Sequence, residues 1–330
     1  MDQVLVEVTR GALVESHHSG AAVVVDSRGR IVFGVGDVEA AIFPRSAVKA
    51  LLALPLVETG AADRLALTDA ELALACSSHS GEPQHVQTAA DMLAKVGRDV
   101  TCLECGVHWP RDVPARALAA AGETPSALHN NCSGKHSGFV CLACDQGHDP
   151  TGYVQPDHPT MRMVTAALAE TTGVKLDDSN RAVDGCSIPT YAIPLRALAL
   201  AFARFGTGVG FSSGRVQAAA RLRRAVAAHP FMVAGTGRFD TQLMSLLGAR
   251  VFSKTGAEGV YCVALPELGL GLAVKCDDGA GRAAEVATAA LIERFLKPES
   301  EDFAKMVRPE MHNWNGIKIG EIRPAATLTA

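Results

Sequence analysis

The sequence predicts an α+β fold in which an antiparallel sheet, built from both ends of the chain, is covered by helices and interrupted by a large helical insert. Three observations predict it: strand-like patterns near the start, helical periodicity from about 56 to 245, and strand-like patterns again toward the end. Strands that flank a helical middle bury their apolar faces by pairing in one sheet. We therefore expect a single unit over residues 1–330, with the sheet layer at about 1–55 and 246–330 and the insert at about 56–245.

The opening strands are predicted from apolar and β-branched residues in three short segments, residues 4–9, 21–26 and 31–35. The turn-forming run Ser27-Arg28-Gly29-Arg30 joins the last two segments as a hairpin. His17 and His18 fall between the first two segments, so we expect them in a solvated loop.

The helical middle is predicted from apolar residues at helical spacing in five segments, residues 69–76, 84–96, 161–171, 194–205 and 213–229. The closing part is predicted from strand segments at 249–253, 259–265 and 269–276, a helix at 281–296 and a last strand at 316–322. These strands would pair with those of the opening part.

Composition and charge restrict the function. The 330 residues are 48% hydrophobic and 20% charged with a formal net charge of −4, which is typical of a soluble globular protein and argues against a nucleic-acid-binding surface. The chain has no apolar run of about 18 residues and no signal peptide at its start, so we expect no membrane partner and a cytoplasmic location. In that compartment the nine cysteines are expected to be reduced, buried, metal-bound or reactive.

Ser46 and Lys49 form an S-x-x-K motif at the start of a predicted apolar helix, shortly after Pro44, which suits a first helical turn. A serine hydroxyl becomes a nucleophile when a base takes its proton. A lysine is that base only if its pKa falls from about 10.4 toward 7 to 8, which requires burial or a second cation. The motif therefore predicts a Ser-Lys catalytic pair, provided that such an environment surrounds it.

Two later motifs supply possible partners. Ser78 lies in the polar run Cys76-Ser77-Ser78-His79-Ser80 after a helix, and Lys254 begins K-T-G on a predicted strand. In this order the three motifs resemble the S-x-x-K, S-D-N and K-T-G signatures of serine β-lactamases and penicillin-binding proteins, although the middle one is degenerate. If Lys254 stays protonated beside Lys49, repulsion between like charges favours the neutral form of Lys49. Ser78, paired with Lys254, would then relay a proton or orient the deacylating water.

Two cysteine-bearing stretches do not fit a β-lactamase, namely residues 130–138, which contain Cys132, and residues 183–189, which contain Cys186. We expect both to be loops of a site. Cys132 and Cys186 would bind a soft metal or be reactive, and the alternative is two partly buried thiols with no such role.

The combination FPRSAVK, CSSHSGE, HNNCSGKHSG, VDGCSIPTYA, VAGTGRFDT and FSKTGAEGVY resembles the rhizobial-type, class 3 L-asparaginases, also called the asparaginase II family. The resemblance extends from the first strands to the final GEIRP. It implies a catalytic unit with a fold similar to serine β-lactamases, hydrolysis of L-asparagine to L-aspartate and ammonia through a serine ester, and a homodimer.

The resemblance also implies roles for particular residues. Ser46 and Lys49 would be nucleophile and base, and Ser78 with Lys254 would be a second Ser-Lys pair. A zinc ion would be held by the cysteine and lysine of NNCSGK and by the cysteine of DGCS, which here are Cys132, Lys135 and Cys186.

Three further residues complete the expected site. The resemblance assigns Asp184 to the substrate ammonium. Arg45 is a candidate for the substrate α-carboxylate because a guanidinium fork matches a carboxylate. His136 is a more ordinary zinc ligand than lysine and competes with Lys135 for that role. We expect the metal to orient or tune the site rather than to generate the nucleophile.

Other functions remain open from the sequence. Another Ser-Lys hydrolase of this fold, such as a glutaminase or an esterase, would carry the same motifs, and so would a non-catalytic zinc-binding or acyl-sensing module. Two C-x-x-C pairs, Cys102 with Cys105 and Cys141 with Cys144, are expected to be packing residues. The run 235–240 is expected to be a loop near the site, and Arg221–Arg224 a charged helix face.

Overall fold

The structure is a computed structural model that describes residues 3–110 and 112–329. Its strands, in chain order, are β1 (Gln3–Arg10), β2 (Leu13–Asp26), β3 (Ile31–Val35), β4 (Ala41–Ile42), β5 (Arg181–Val183), β6 (Pro189–Tyr191), β7 (Ile193–Pro194), β8 (Phe252–Gly256), β9 (Val260–Leu265), β10 (Leu270–Cys276), β11 (Glu310–His312) and β12 (Lys318–Pro324). A 3₁₀ turn covers Arg45–Val48.

The helices, in chain order, are α1 (Lys49–Leu52), α2 (Leu54–Glu58), α3 (Ala61–Arg64), α4 (Asp69–Ala75), α5 (Pro83–Ala94), α6 (Asp112–Ala120), α7 (Ser133–Asp145), α8 (Pro159–Thr172), α9 (Leu195–Thr207), α10 (Ser213–Ala228), α11 (Pro230–Ala234), α12 (Phe239–Leu247), α13 (Gly281–Leu296), α14 (Glu301–Val307) and α15 (Ala326–Thr329). In the described ranges no helix is long and apolar enough to cross a membrane.

The chain divides into two compact units. The sheet unit contains residues 1–47, 192–209 and 250–330, and the helical unit contains residues 48–191 and 210–249. These bounds differ from the predicted layers in three places. Residues 192–209 belong to the sheet unit, because β7 pairs with β4 and α9 packs on β2, β9 and β10. Residues 48–55 and 246–249 belong to the helical unit. Whether the chain acts as one catalytic unit stays a prediction.

The sheet unit contains an antiparallel sheet of eight strands in the order β11-β12-β1-β2-β10-β9-β8, with β3 paired to β2. The two ends of the chain meet between β1 and β12, where Glu7 pairs with Arg323 in the ladder. The inner strands β9 and β10 are buried along almost their whole length, and α13 packs against both of them. This arrangement confirms the predicted α+β class and the predicted sheet made from both chain ends.

The prediction that His17 and His18 lie in a loop is wrong. Strand β2 begins at Leu13, and His17 and His18 pair with Glu7 and Val6 of β1. His18 is buried, and its ring is hydrogen-bonded to Asp278 and accepts a hydrogen bond from Arg282. The first part of β2 is exposed and contains polar residues. The alternation of apolar and polar residues therefore does not predict where this strand begins.

The helical unit packs α4, α5, α7 and α10 around a common core. The run 130–138 was expected to be a loop, but α7 begins at Ser133 and its first two turns are buried. Gly134 explains this close packing, because a Cβ atom there would lie 2.4 Å from the carbonyl oxygen of Leu74. The glycines that suggested a loop therefore allow α7 to approach α4.

The residues set aside from the site have structural roles in the described parts of the chain. Cys141 is fully buried in α7 and its thiol lies 3.3 Å from the carbonyl oxygen of Met92. Arg221 on α10 forms an ion pair with Asp63 at 2.6 Å. The predicted loop 235–240 ends in α12, where Asp240 is buried in the first turn.

Candidate active site

Lys49 is the first residue of α1 and is buried, with 1% of its surface exposed. Its Nζ donates hydrogen bonds to Ser78 Oγ at 2.9 Å, to the carbonyl oxygen of Ser77 at 2.5 Å and to that of Asn131 at 3.4 Å. All three acceptors are neutral oxygens. Burial lowers the pKa of Lys49 from its ordinary value, and the charge of Lys135 lowers it further, although Cys132 acts in the opposite direction. A buried lysine of this kind gives up its proton more easily than a solvated one.

Ser78 is held in place through its backbone as well as its hydroxyl. Its amide N–H donates to the carbonyl oxygen of Val233 at 2.8 Å. The segment just after Val233 approaches the Ser78 loop closely, since a Cβ atom on Gly235 would lie 2.7 Å from Ser80 Oγ and 2.6 Å from Glu82 Oε1. Gly235 has a φ of 108°, which side chains rarely adopt. The predicted motifs CSSHSGE and VAGTGRFDT are therefore brought together in the helical unit.

His79, the neighbour of Ser78, has a structural role. Its Nδ1 accepts a hydrogen bond from the amide of Gly81 at 3.1 Å, so its Nε2 carries the proton and donates to Ser133 Oγ at 2.9 Å. Ser133 donates in turn to the carbonyl oxygen of Leu128 at 2.8 Å. Burial lowers the pKa of His79 well below its ordinary value, so the ring is neutral.

Cys132, Lys135 and Cys186 form a buried group that we call the thiol–lysine cluster. The Nζ of Lys135 donates to Cys186 Sγ at 3.0 Å, and the side chains of Cys132 and Cys186 share a hydrogen bond. Each of the three residues is at most 5% exposed. The predicted metal-binding residues therefore do lie together.

The two thiols differ in protonation. The hydrogen bond from Cys186 lowers the pKa of Cys132 well below its ordinary value, and Lys49 and Lys135 add to this effect against burial. The same hydrogen bond, together with burial, raises the pKa of Cys186. The cluster therefore favours ionisation of Cys132 over ionisation of Cys186. Burial would lower the pKa of Lys135, but the sulfurs of Cys186 and Cys132 outweigh burial and raise it.

Cys186 and Asp184 lie in the tight turn between β5 and β6. The amide of Asp184 donates to the carbonyl oxygen of Ile188, and the amide of Ser187 donates to that of Asp184, each at 2.9 Å. Asp184 is partly exposed, and its Oδ2 lies 3.8 Å from Cys186 Sγ. The turn thus points the thiol into the cluster and leaves the carboxylate accessible to a ligand.

The donors of the cluster fit a zinc ion of the Cys-Lys-Cys kind. Among the described residues, no three histidine, cysteine, aspartate or glutamate side chains come together to hold a metal ion. The cluster contributes two such side chains, both cysteines, and its third donor is the amine of Lys135, at 3.0 Å from Cys186 Sγ. Thiolates are preferred zinc ligands, and an amine binds a metal after it loses its proton.

His136, the competing ligand, is engaged with a tyrosine through one ring nitrogen. The oxygen of Tyr153 lies 2.6 Å from His136 Nδ1 and accepts a hydrogen bond from the amide of Glu104 at 2.9 Å. His136 Nε2 is buried and has no hydrogen-bond partner in the described part of the chain. Burial lowers the pKa of His136 well below its ordinary value. Of the two candidate nitrogen ligands, Lys135 is the one that contacts a sulfur of the cluster, with its Nζ 3.0 Å from Cys186 Sγ.

The remaining predicted residues belong to the sheet unit. Ser46 is half-buried in the 3₁₀ turn, after Arg45, which has a φ of 51°. Lys254 is fully buried on β8, and its Nζ donates to the carbonyl oxygen of Thr255 at 2.8 Å. Gly256 of the K-T-G motif packs against the turn, because a Cβ atom there would lie 2.5 Å from the carbonyl oxygen of Pro44. The S-x-x-K turn and the K-T-G strand are therefore neighbours.

The structure groups Lys49, Ser78, Asp184 and the thiol–lysine cluster in the helical unit, and Arg45, Ser46 and Lys254 in the sheet unit. Sequence reasoning missed Asn131, whose carbonyl oxygen accepts from Lys49 and whose side-chain Oδ1 lies 3.2 Å from Cys132 Sγ. Its position inside the motif HNNCSGKHSG was the available signal. A carbonyl contact depends on the backbone, so no side-chain pattern identifies it.

A buried lysine that is hydrogen-bonded to a serine hydroxyl, in an α+β fold with S-x-x-K and K-T-G motifs, is typical of a hydrolase. The family model of L-asparaginase II matches residues 6–324. The chain therefore belongs to the L-asparaginase II family.

Solved structures with similarity include a β-lactamase from Mycobacterium bovis, 14% identical with a TM-score of 0.41, where the match covers 83% of this chain and 94% of that chain. A structure of Mglu is 15% identical with a TM-score of 0.38, covering 87% of this chain and 69% of that chain. None of the curated proteins matches the chain. Because these TM-scores are low, the family assignment rests on the family model, and the fold class on the strand order described above.

Proposed function

We propose that the protein hydrolyses L-asparagine to L-aspartate and ammonia through a serine ester. The observation that supports this most directly is the buried hydrogen bond between Lys49 Nζ and Ser78 Oγ, at 2.9 Å, in a chain of the L-asparaginase II family. A lysine with a lowered pKa beside a serine hydroxyl is an activated pair for acyl transfer.

In the proposed reaction, neutral Lys49 accepts the proton of the attacking hydroxyl, for which Ser46 is our candidate. The serine oxygen bonds to the side-chain carbonyl carbon of asparagine and the bond to the amide nitrogen breaks. Ser78 passes a proton from Lys49 to the departing ammonia, and Lys254 is proposed as the cation that supports Ser78. Water then cleaves the aspartyl ester and regenerates the serine.

Substrate binding and the metal complete the proposal. Asp184 would bind the substrate ammonium, and Arg45 would bind its α-carboxylate through a guanidinium fork. Cys132, Lys135 and Cys186 would hold Zn²⁺, which when bound supplies positive charge that orients polar groups nearby. A homodimer in the cytoplasm is also part of the proposal, on the family resemblance.

Ammonia release tests the activity. Purified protein should release ammonia from L-asparagine faster than from L-glutamine, and a simple ester should be a poorer substrate than the amide. If glutamine or the ester were turned over faster, the proposed activity would be wrong and the protein would be another Ser-Lys hydrolase, a glutaminase or an esterase. No turnover of any of the three would indicate a binding module.

Serine variants test the assignment of roles. Acid-quenched enzyme should carry an aspartyl ester on the peptide that contains Ser46, as measured by mass spectrometry, and Ser46→Ala should carry none. Ser78→Ala should slow ammonia release, whereas the control Ser137→Ala should not, because that buried hydroxyl donates to the carbonyl oxygen of Ala89. An ester on Ser78 would show that Ser78 is the nucleophile and Ser46 is not. A wild-type rate and pH profile in Lys254→Ala would show that Lys254 has no role in catalysis.

A further inference from the structure

Lys49 has two kinds of hydrogen-bond partner, and they behave differently once its amine loses a proton. The carbonyl oxygens of Ser77 at 2.5 Å and of Asn131 at 3.4 Å can only accept, whereas the hydroxyl of Ser78 at 2.9 Å can accept or donate. A neutral amine has two N–H bonds and one lone pair. Because the two carbonyls take the two N–H bonds, the lone pair is directed to Ser78 Oγ.

The ring of His108 holds the residue that supplies the second of these carbonyls. The amide N–H of Asn131 donates to His108 Nε2 at 2.9 Å, and His108 Nδ1 lies 2.8 Å from the carbonyl oxygen of Trp109. An amide N–H only donates and a carbonyl only accepts, so in the neutral ring the proton lies on Nδ1 and the lone pair on Nε2. The two contacts therefore select one tautomer of His108, the one whose Nε2 accepts from Asn131.

Two peptide planes meet at the Cα atom of Asn131, and each has a hydrogen bond that holds it. The plane before this atom is held by His108 through the amide N–H. The plane after it contains the carbonyl that accepts from Lys49 and the amide of Cys132, which donates to Asn130 Oδ1 at 2.9 Å. If the contact with His108 is lost, the first plane is free to rotate, and the Cα atom and its carbonyl move away from Lys49 Nζ.

His108 belongs to a short segment, residues 105–110, that we call the strap. The side-chain Nδ2 of Asn130 donates to the carbonyl oxygens of the first two strap residues, at 2.8 and 3.1 Å. At the other end of the strap, Pro110 packs on the loop that follows α4, since a Cβ atom on Gly81 would lie 2.8 Å from Pro110 Cβ. The strap is therefore fixed on both sides of His108, which makes its ring a firm support for a neighbouring loop.

We propose that His108 is a positioning residue for the proposed hydrolysis. By holding the amide of Asn131, it keeps the neighbouring carbonyl in contact with Lys49, so that the lone pair of the neutral amine faces Ser78. The inference rests on the proposed function, since it requires that Lys49 act as the base. His108 acts through another residue and is therefore not a catalytic residue, and none of the sequence motifs of the site contains it.

Three substitutions separate the hydrogen bond of His108 from the shape of its ring. His108→Phe keeps a ring without a nitrogen, and His108→Leu keeps neither the ring nor an acceptor. His108→Gln loses the ring but places its side-chain oxygen close to the position of Nε2, where it can accept from Asn131. His148→Phe is the matched control, because His148 is also partly exposed but is hydrogen-bonded to Thr160 Oγ1 at 3.2 Å.

Kinetics of ammonia release from L-asparagine give the first readout, on full-length variants that circular dichroism shows to be folded. In His108→Phe and His108→Leu we expect kcat to fall about ten- to a hundredfold with little change in KM, because a misdirected lone pair affects the proton transfer rather than substrate binding. His108→Gln should restore kcat to within about threefold of the wild-type value, and His148→Phe should keep it.

Hydrogen exchange gives a second readout that needs no turnover. In ¹⁵N-labelled protein, the amide of Asn131 should exchange about tenfold faster in His108→Phe and His108→Leu than in the wild type, because its acceptor has been removed. The amide should stay protected in His108→Gln. Exchange that is the same in all four proteins would overturn the proposal.

The kinetic outcomes separate the positioning role from the proposed activity. A wild-type kcat in His108→Phe, or a His108→Gln variant as slow as His108→Phe, would overturn the positioning role, since in the second case ring shape and not the acceptor would matter. A rise in KM with an unchanged kcat would also overturn it. A wild-type protein without turnover would reject the proposed hydrolysis itself, and with it the need for a base that His108 could position.

Discussion

The surroundings of Lys49 and Lys135 differ although both lysines are buried in the helical unit, with 1% and 2% of their surface exposed. Lys49 contacts neutral oxygen atoms, two carbonyls and a hydroxyl. Lys135 contacts the sulfur of Cys186, with Cys132 and Asp184 close enough to act on it. The pKa of Lys49 is lowered, with burial as the largest cause, and the pKa of Lys135 is raised because the sulfurs outweigh burial.

The difference shows that burial alone does not decide the protonation of a lysine. Desolvation disfavours the ammonium form at both positions, and nearby negative charge reverses the outcome at one of them. Lys135 therefore stays charged and, from that position, lowers the pKa of Lys49 further. Burial is therefore the main reason why Lys49 is fit to act as a base, and the charge of Lys135 adds to this effect while Cys132 opposes it.

The largest expected effect comes from removing the base. Lys49→Met keeps the length of the side chain but cannot accept a proton, so we expect ammonia release from L-asparagine to fall by roughly 10² to 10⁴-fold. Lys175→Met is the matched control, because Lys175 is exposed and paired with Asp177. A folded Lys49→Met protein with wild-type turnover would end the assignment of Lys49 as the base.

Acid should weaken metal binding at Lys135. In the metal-free protein the raised pKa of Lys135 keeps its amine protonated, and that proton must leave before the nitrogen binds zinc. Zinc affinity, measured by competition with a chromophoric chelator, should fall by about tenfold per pH unit for each proton released. An affinity that does not change with pH would show that the amine is not a ligand.

Variants at the thiol–lysine cluster should move the pKa of Lys49 in opposite directions. Lys135 lowers that pKa and Cys132 raises it. The neutral, active form of Lys49 increases as pH rises, so Lys135→Met should move the rise of the rate to higher pH and Cys132→Ala to lower pH. Shifts of about one unit are expected, the size of one well-placed charge, in pH–rate profiles of chelator-treated protein. If both variants shifted the pH–rate profile in the same direction, Lys135 and Cys132 would not act on the pKa of Lys49 in opposite directions.

Gly235→Ala should have the smallest effect on the pKa values of Lys49 and Lys135, because Gly235 contacts neither lysine. An added Cβ at a φ of 108° would collide with Ser80 and Glu82. We expect a loss of roughly 1–3 kcal/mol in the free energy of unfolding and a lower rate through displacement of Ser78. Gly147→Ala is the control, since it has a φ of 72° but no atom within reach of its Cβ. Thermal unfolding of the two variants separates collision from backbone strain.

The sequence predicted the fold class and most strands and helices, including α13 with both of its ends. It predicted a loop over residues 130–138, where α7 begins at Ser133, because Gly134 and the polar residues around it look like a loop until α4 is packed against them. The long exposed half of β2, with His17 and His18, has no apolar alternation to predict it. Helices and strands with a regular apolar face were therefore predictable from the sequence. The start of α7, which depends on close packing, and the exposed half of β2, which depends on pairing with β1, were not.

For the site, motifs predicted which residues lie together in the helical unit, but they did not predict that Lys135 acts on Lys49. The sequence argument gave the role of the second cation to Lys254, which stays a prediction, and within the helical unit the charge of Lys135 lowers the pKa of Lys49. Lys135 was considered only as a metal ligand. Protonation depends on distances between residues far apart in the chain, such as Lys135 and Cys186, which no spacing in the sequence encodes.

A titration of the two lysines by nuclear magnetic resonance tests the account most directly. In metal-free protein labelled with ¹³C at lysine, the Cε signal of Lys49, assigned with Lys49→Met, should titrate below the ordinary value of about 10.4, while that of Lys135 should keep its protonated shift throughout that range. The reverse order, with Lys135 losing its proton first, would contradict the account.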